Sequence, residues 1–217
     1  MIEHKSLTAL GLINETDKAY SHNFTNFYDS KLAHLRAQKI NLLEIGVAFG
    51  NSLKMWRDYF YNGTIYGADN LHTFEGERII TALFDQADEK QYDNLFPGIE
   101  FDVIVDDASH YMFDQQFCFV KMFKRLRPGG IYILEDLHTS MSSHYDEKRF
   151  QPLLSEGKLS TLTLLEKILK KESDYKNFYV CEESILEVIK DIESLEIFHN
   201  KPTVSVTSVI IKNGIRV

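Results

Sequence analysis

Ile40-Asn41-Leu42-Leu43-Glu44-Ile45-Gly46-Val47-Ala48-Phe49-Gly50 runs from a short apolar segment into a turn flanked by glycines. Asn51 to Phe60 follows, with Leu53, Met55, Trp56 and Phe60 at roughly helical spacing. Strand, tight turn and helix in that order open a doubly wound α/β sheet. In such sheets ligands bind beyond the C-terminal ends of strands, where glycine lets the backbone come close to them. A dinucleotide fingerprint starting at Gly46 would place glycine again at positions 48 and 51, but the chain has Ala48 and Asn51. Alone, the turn is read equally well as a packing turn or as a ligand turn.

Working outward, three further apolar runs each stop at acidic residues. Thr64 to Ala68 stops at Asp69, Phe101 to Val105 at Asp106 and Asp107, and Gly130 to Leu134 at Glu135 and Asp136. Asp114 to Leu126 is a predicted helix, closed by Pro128, Gly129 and Gly130. Strands alternating with helices predict a parallel sheet covered on both faces. The tail departs from this alternation: after a helix from Glu182 to Ile192 come strands at Leu195 to Phe198 and Val204 to Ile211. Only His199 to Thr203 lies between them. That connection is too short for a crossover, so the two strands should pair antiparallel.

A chain of 217 residues, 44% hydrophobic and 12% aromatic, can bury one substantial core and is expected to form one domain over 1–217. Its net charge of −8 argues against a nucleic-acid partner, whose phosphates call for clustered lysine and arginine. Met1 to Leu12 lacks the apolar core of a signal peptide, and no stretch is long enough to span a membrane. Cys118 and Cys181 lack metal-type spacing and read as reduced thiols of a cytoplasmic protein.

The acidic strand ends supply the candidate chemistry. Asp69 follows the second strand, where a carboxylate accepts hydrogen bonds from the ribose hydroxyls of an adenosine cofactor. Asp85 and Gln86 offer donors and acceptors suited to an adenine edge, although a polar turn is read equally well. Asp107 and Asp136 end consecutive strands, which in neighbouring positions lie about 4.8 Å apart. With Glu135 they form a trio of carboxylates that repel one another unless a cation or proton intervenes, and hard oxygen ligands suit Mg²⁺. His110, just beyond Asp107, is placed to take a proton from a hydroxyl, although a lone histidine is more often structural.

A mostly parallel, seven-stranded α/β sheet with an antiparallel C-terminal hairpin resembles the Rossmann-like fold of class I S-adenosylmethionine-dependent methyltransferases. More narrowly, Thr16-Asp17-Lys18 leading to Tyr28, Asp106 to His110, and Leu134-Glu135-Asp136-Leu137-His138-Thr139-Ser140 resemble the metal-dependent sugar O-methyltransferases of the mycinamicin and macrolide type. The resemblance implies that Gly46 and Gly50 lie beside the methionine part of S-adenosylmethionine and that Glu44 organises their loop. It puts Asp69 on the ribose, Asp85 and Gln86 at the adenine, Asp106 among the cofactor residues, and Thr16 and Lys18 at the cofactor entrance. Asp107, Glu135 and Asp136 would hold Mg²⁺, with Asp107 and His110 catalytic and His110 the general base. The implied reaction methylates a sugar hydroxyl of a saccharide or glycosylated small molecule, leaving S-adenosylhomocysteine. Ala48 departs from the family's middle glycine.

Segment 1–35 is expected to cover cofactor and substrate. Segment 141–175 contains Tyr145, Phe150, Leu153 and the stripe Leu162, Leu165, Ile168 and Leu169. It is expected to form a substrate lid or a contact within a homo-oligomer. The competing readings are a methyltransferase of another small molecule, a nicotinamide-dependent oxidoreductase and a non-catalytic scaffold.

Overall fold

In the computed structural model, which describes residues 5–141, 157–201 and 203–214, the opening stretch forms β1 (Asn41–Ile45), an inner strand of one mixed sheet. The other strands are β2 (Thr64–Asp69), β3 (Glu75–Gly76), β4 (Ile79–Leu83), β5 (Phe101–Asp106), β6 (Leu126–Leu134), β7 (Ile192–His199) and β8 (Val206–Lys212). Their order is β3-β4-β2-β1-β5-β6-β8-β7. The inner pairs from β4 to β6 are parallel, and β8 pairs antiparallel with both β6 and β7. The expected α/β architecture and terminal hairpin are therefore present.

The sheet has eight strands rather than seven. At the far edge, β4 runs parallel to β2, and the two residues of β3, just before it in the chain, pair antiparallel with it. Ile80 and Leu83 of β4 are 48% and 65% exposed, so this strand lacks the deep burial of the inner strands.

Helices cover both faces: α1 (Leu7–Ile13), α2 (Asp17–Tyr20), α3 (Thr25–Leu32), α4 (Asn51–Tyr59), α5 (Met112–Met122), α6 (Thr161–Leu169) and α7 (Glu182–Lys190). The period-two alternation of the strands divides the core. Leu42, Val103 and Ile131 join Leu7, Tyr28 and Trp56 on one side, while Leu43, Ile104 and Tyr132 join Phe119, Leu165 and Val188 on the other.

On the second side, Ser160 caps α6 by accepting from the Thr163 amide at 3.1 Å. This helix buries Leu162, Leu164, Leu165 and Ile168 in the core, while Leu169 is 52% exposed. Most of the stripe expected to face a substrate or partner is thus internal packing. Tyr145, Phe150 and Leu153 lie outside the described residues. On the first side, the N-terminal helices are fastened to the terminal hairpin. Tyr28 Oη and Thr207 Oγ1 are 2.8 Å apart, Asn200 Nδ2 donates to the His22 carbonyl at 2.7 Å, and Phe27 stacks on Phe198. Among the described residues, no helix is long and apolar enough to cross a membrane.

Candidate active site at the strand switch point

From β1 the chain crosses to β2 on one side and later returns to β5 on the other, so the C-terminal end of β1 is where strand order reverses. Ladder hydrogen bonds continue just past the strands. Gly46 N donates to Ala68 O at 2.8 Å, Asp107 N to Ile45 O at 2.9 Å and Glu135 N to Asp106 O at 3.0 Å. Gly46, Asp107 and Glu135 are thereby set side by side on one rim. Gly46 has φ +85°, and a Cβ there would stand 2.2 Å from the Asp107 carbonyl oxygen. Only glycine fits the approach.

Two cavities meet at this rim. One, of about 220 Å³, is lined by Gly46, Ala48, Asp69, Asp85, Gln86 and Asp107 among others. The second, about 400 Å³, includes Thr16, Lys18, Asp107, His110 and Asp136 in its lining. Gly46, Ala48, Asp107 and Ala108 line both.

Asp69 shapes the first cavity as well as lining it. Its Oδ2 accepts from the Val47 and Ala48 amides at 2.9 and 3.1 Å, and its Oδ1 from those of Leu71 and His72 at 2.8 and 3.0 Å. Partial burial pushes its pKa upward, but these four backbone donors outweigh burial and hold it below the ordinary value. The carboxylate that was expected to meet a ribose therefore also fixes the turn after β1.

Asp85 is exposed on the lining of this cavity, whereas Gln86, Asp106, Glu44 and Gly50, also expected at the cofactor, do not present free polar side chains to it. Gln86 donates to Asp106 Oδ1 at 2.7 Å and accepts from the Ser109 amide at 3.2 Å, so its amide braces the loop after β5. Asp106 takes its second hydrogen bond from Tyr132 Oη at 3.1 Å and lines neither cavity. Burial drives its carboxyl up to about 6 despite these donors. Glu44 is fully buried behind the rim, accepting from Ser52 Oγ at 2.6 Å and Trp56 Nε1 at 3.3 Å. Gly50, at φ +74°, caps α4 against the ring of Phe74 and also lines neither cavity.

In the second cavity, Lys18 is the hub. Its side chain is 2% exposed, and its ammonium contacts Asp107 Oδ2, Glu135 Oε1 at 3.1 Å and Glu44 Oε1 at 3.4 Å. Burial alone would lower the lysine pKa, but the three carboxylates more than compensate and keep it charged. Burial pushes the Asp107 and Glu135 carboxyls up, Glu135 strongly.

Asp136 faces a ring of imidazoles. Its Oδ2 is 3.6 Å from His110 Nε2, and its Oδ1 is 3.5 Å from His22 Nδ1 and 3.7 Å from His138 Nδ1. Asp107, His110 and Asp136 each offer a ligand atom, all within 4.8 Å of one another. Glu135 sits behind this group, on Lys18. Asp136 Oδ1 is buried and accepts no hydrogen bond, which leaves a hard oxygen without a donor where two carboxylates converge, as a divalent cation requires. The residues fit Mg²⁺. His110 and Asp136 both have left-handed backbones, φ 58° and 53°, which aim their side chains at each other across the rim.

His22 has no assigned role in the sequence reading. It lies 2.8 Å from Ser205 Oγ and 3.6 Å from Asp17, and its hydrogen bond to Asp17 raises its pKa against the opposing effect of burial. No local pattern marks it, because its partners come from α2, the β6 end and the terminal hairpin.

No protein-family model matches the chain. It is 35% identical over 144 residues to the 8-demethyl-8-alpha-L-rhamnosyl tetracenomycin-C 2'-O-methyltransferase of Streptomyces olivaceus, covering 62% of this chain and 38% of that protein. It is likewise 35% identical over 131 residues to the mycinamicin VI 2''-O-methyltransferase of Micromonospora griseorubida, covering 56% and 33%. The chain thus spans well under half the length of these relatives. In structure it is similar to the MycE methyltransferase of the mycinamycin pathway in complex with Mg, SAH and mycinamycin VI. The TM-score is 0.76 at 27% identity, over 97% of this chain and 55% of that one. The O-methyltransferase TomG from Streptomyces achromogenes, with a TM-score of 0.53 at 13% identity over 99% and 92% of the two chains, shares the fold alone. The fold is the Rossmann-like class I methyltransferase fold, and the resemblance to sugar O-methyltransferases holds in sequence and in structure.

Proposed function

We propose that this chain carries the catalytic site of an S-adenosylmethionine-dependent, Mg²⁺-dependent O-methyltransferase acting on a sugar hydroxyl of a saccharide or glycosylated small molecule. The observation that carries the reading is the pair of cavities sharing Gly46, Ala48, Asp107 and Ala108. A methyl donor in the first cavity and an acceptor in the second would meet at these four shared residues. The relatives' names support a glycosylated acceptor, and SAH and Mg in the MycE complex support the cofactor pair. A net charge of −8 suits a small acceptor better than a nucleic acid, and the free thiols Cys118 and Cys181 suit the reducing cytoplasm.

Asp69 and the turn it holds would seat the adenosine end of the donor, with Asp85 beside it. Gly46 would admit the methionine end close to the main chain. Asp107 and Asp136 would hold Mg²⁺, with Glu135 as the third carboxylate of the set. When bound, the ion supplies Lewis-acid chemistry that makes an adjacent sugar hydroxyl more acidic. His110 takes the hydroxyl proton on its ring nitrogen, and Asp136 steadies the resulting imidazolium. The acceptor oxygen bonds to the methyl carbon as the carbon–sulfur bond breaks, which requires oxygen, carbon and sulfur in line. The methyl ether and S-adenosylhomocysteine result.

The test is incubation with isotope-labelled S-adenosylmethionine and a panel of glycosylated metabolites, nucleotide sugars and glycolipids, read by mass spectrometry with and without EDTA. A labelled methyl ether on a sugar that disappears with EDTA is expected. Transfer undiminished in excess EDTA would refute the metal dependence, and binding of a nicotinamide cofactor in place of S-adenosylmethionine would refute the methyl transfer.

A further inference from the structure

Lys18 has a position that the proposed reaction does not explain. It belongs to α2, a helix of four residues, yet its ammonium is driven into the sheet rim between Glu44, Asp107 and Glu135. Carboxylates buried together are tolerated only when a cation or proton neutralises them. Lys18 is that cation. One of its partners, Asp107 Oδ2, belongs to a carboxylate that would also hold Mg²⁺. A dication and an ammonium touching one carboxylate repel each other strongly where water is excluded.

We infer that Lys18 is a displaceable internal cation: its ammonium keeps the carboxylate cluster assembled while no metal is bound and competes with the entering ion for Asp107 and Glu135. This rests on the reading that a divalent ion binds at Asp107 and Asp136 with Glu135 as the third carboxylate. The ion draws Asp107 Oδ2 and Glu135 Oε1 away from the ammonium, which withdraws toward Glu44. Lys18 is thus a positioning residue that weakens metal affinity in return for an organised empty site.

The geometry supplies its own reporter. Trp56 is the single tryptophan of the chain, and its indole N–H donates at 3.3 Å to Glu44 Oε1, the same oxygen that lies 3.4 Å from Lys18. Withdrawal of the ammonium toward Glu44 changes the charge beside the indole.

The experiment is titration of the metal-free protein with Mg²⁺, followed by calorimetry and by Trp56 emission, for wild type and Lys18→Met. The expected result is binding at least about tenfold tighter in Lys18→Met, since the competing charge is gone. Wild-type Trp56 emission should change with the midpoint found by calorimetry. Equal affinities in two folded proteins would overturn the inference. Should Lys18→Met fail to fold without metal, the wild-type titration decides, and binding without any change in Trp56 emission overturns it. No uptake of Mg²⁺ or Mn²⁺ by wild type would remove the metal reading itself, so the two failures are distinguishable.

Discussion

His110 stands 3.6 Å from Asp136 with its Nδ1 unbonded, so its removal leaves the donor cavity untouched. His110→Ala is expected to slow transfer by about 10²–10⁴-fold while calorimetry still finds S-adenosylhomocysteine binding. Asp69 bears on stability instead, because its four backbone bonds build the turn after β1. Its folded-state pKa is depressed, so its contribution to stability is present above the unfolded value of about 3.9 and fades as pH falls through the folded value. Denaturant titrations should show Asp69→Asn less stable than wild type at pH 7, with the gap closing in acid below pH ~4. Asp69, Asp107 and Asp136 could be found in the sequence because each follows an apolar run that ends abruptly. The surroundings of Lys18 could not, because its three partners are spread across the ends of three strands. The carboxylates therefore looked like a set awaiting a cation when one was already in place.

At the scale of elements, the polar fastening between α3 and β8 should carry measurable energy. Thr207 Oγ1 also donates to the Leu134 carbonyl at 3.1 Å, at the strand end that leads into Glu135. Thr207→Val would strand the buried Tyr28 hydroxyl and that carbonyl, and should cost about 1–3 kcal/mol in urea or thermal unfolding. The inner strands were legible because burial on both faces makes them continuous apolar runs. The terminal hairpin is legible because the few residues between its strands, 200–205 in the structure, are too short for a crossover. Strand β4 leaves little signal in the sequence: Ile79-Ile80-Thr81-Ala82-Leu83 is short, half-exposed and preceded by a hairpin strand of only two residues. The stripe on α6 was recognised as apolar, but periodicity does not say whether a buried face meets its own core or another molecule.

Over the whole molecule, ligand and stability are linked by mass action. S-adenosylhomocysteine at a hundred times its Kd should raise unfolding free energy by about 2.7 kcal/mol, with no corresponding gain from a nicotinamide cofactor, as read by chemical denaturation. The left-handed backbones of His110 and Asp136 add a consequence for the history of the protein. A non-glycine residue in that region costs about 1–3 kcal/mol when held there, and glycine would relieve it. Mutational drift constrained only by foldability would thus tend to erase the two side chains to which we assign the proposed chemistry, leaving a sturdier protein without it. Loss of activity in this lineage would be thermodynamically downhill, and a silent descendant should be recognised by glycine at these two positions inside an otherwise intact scaffold.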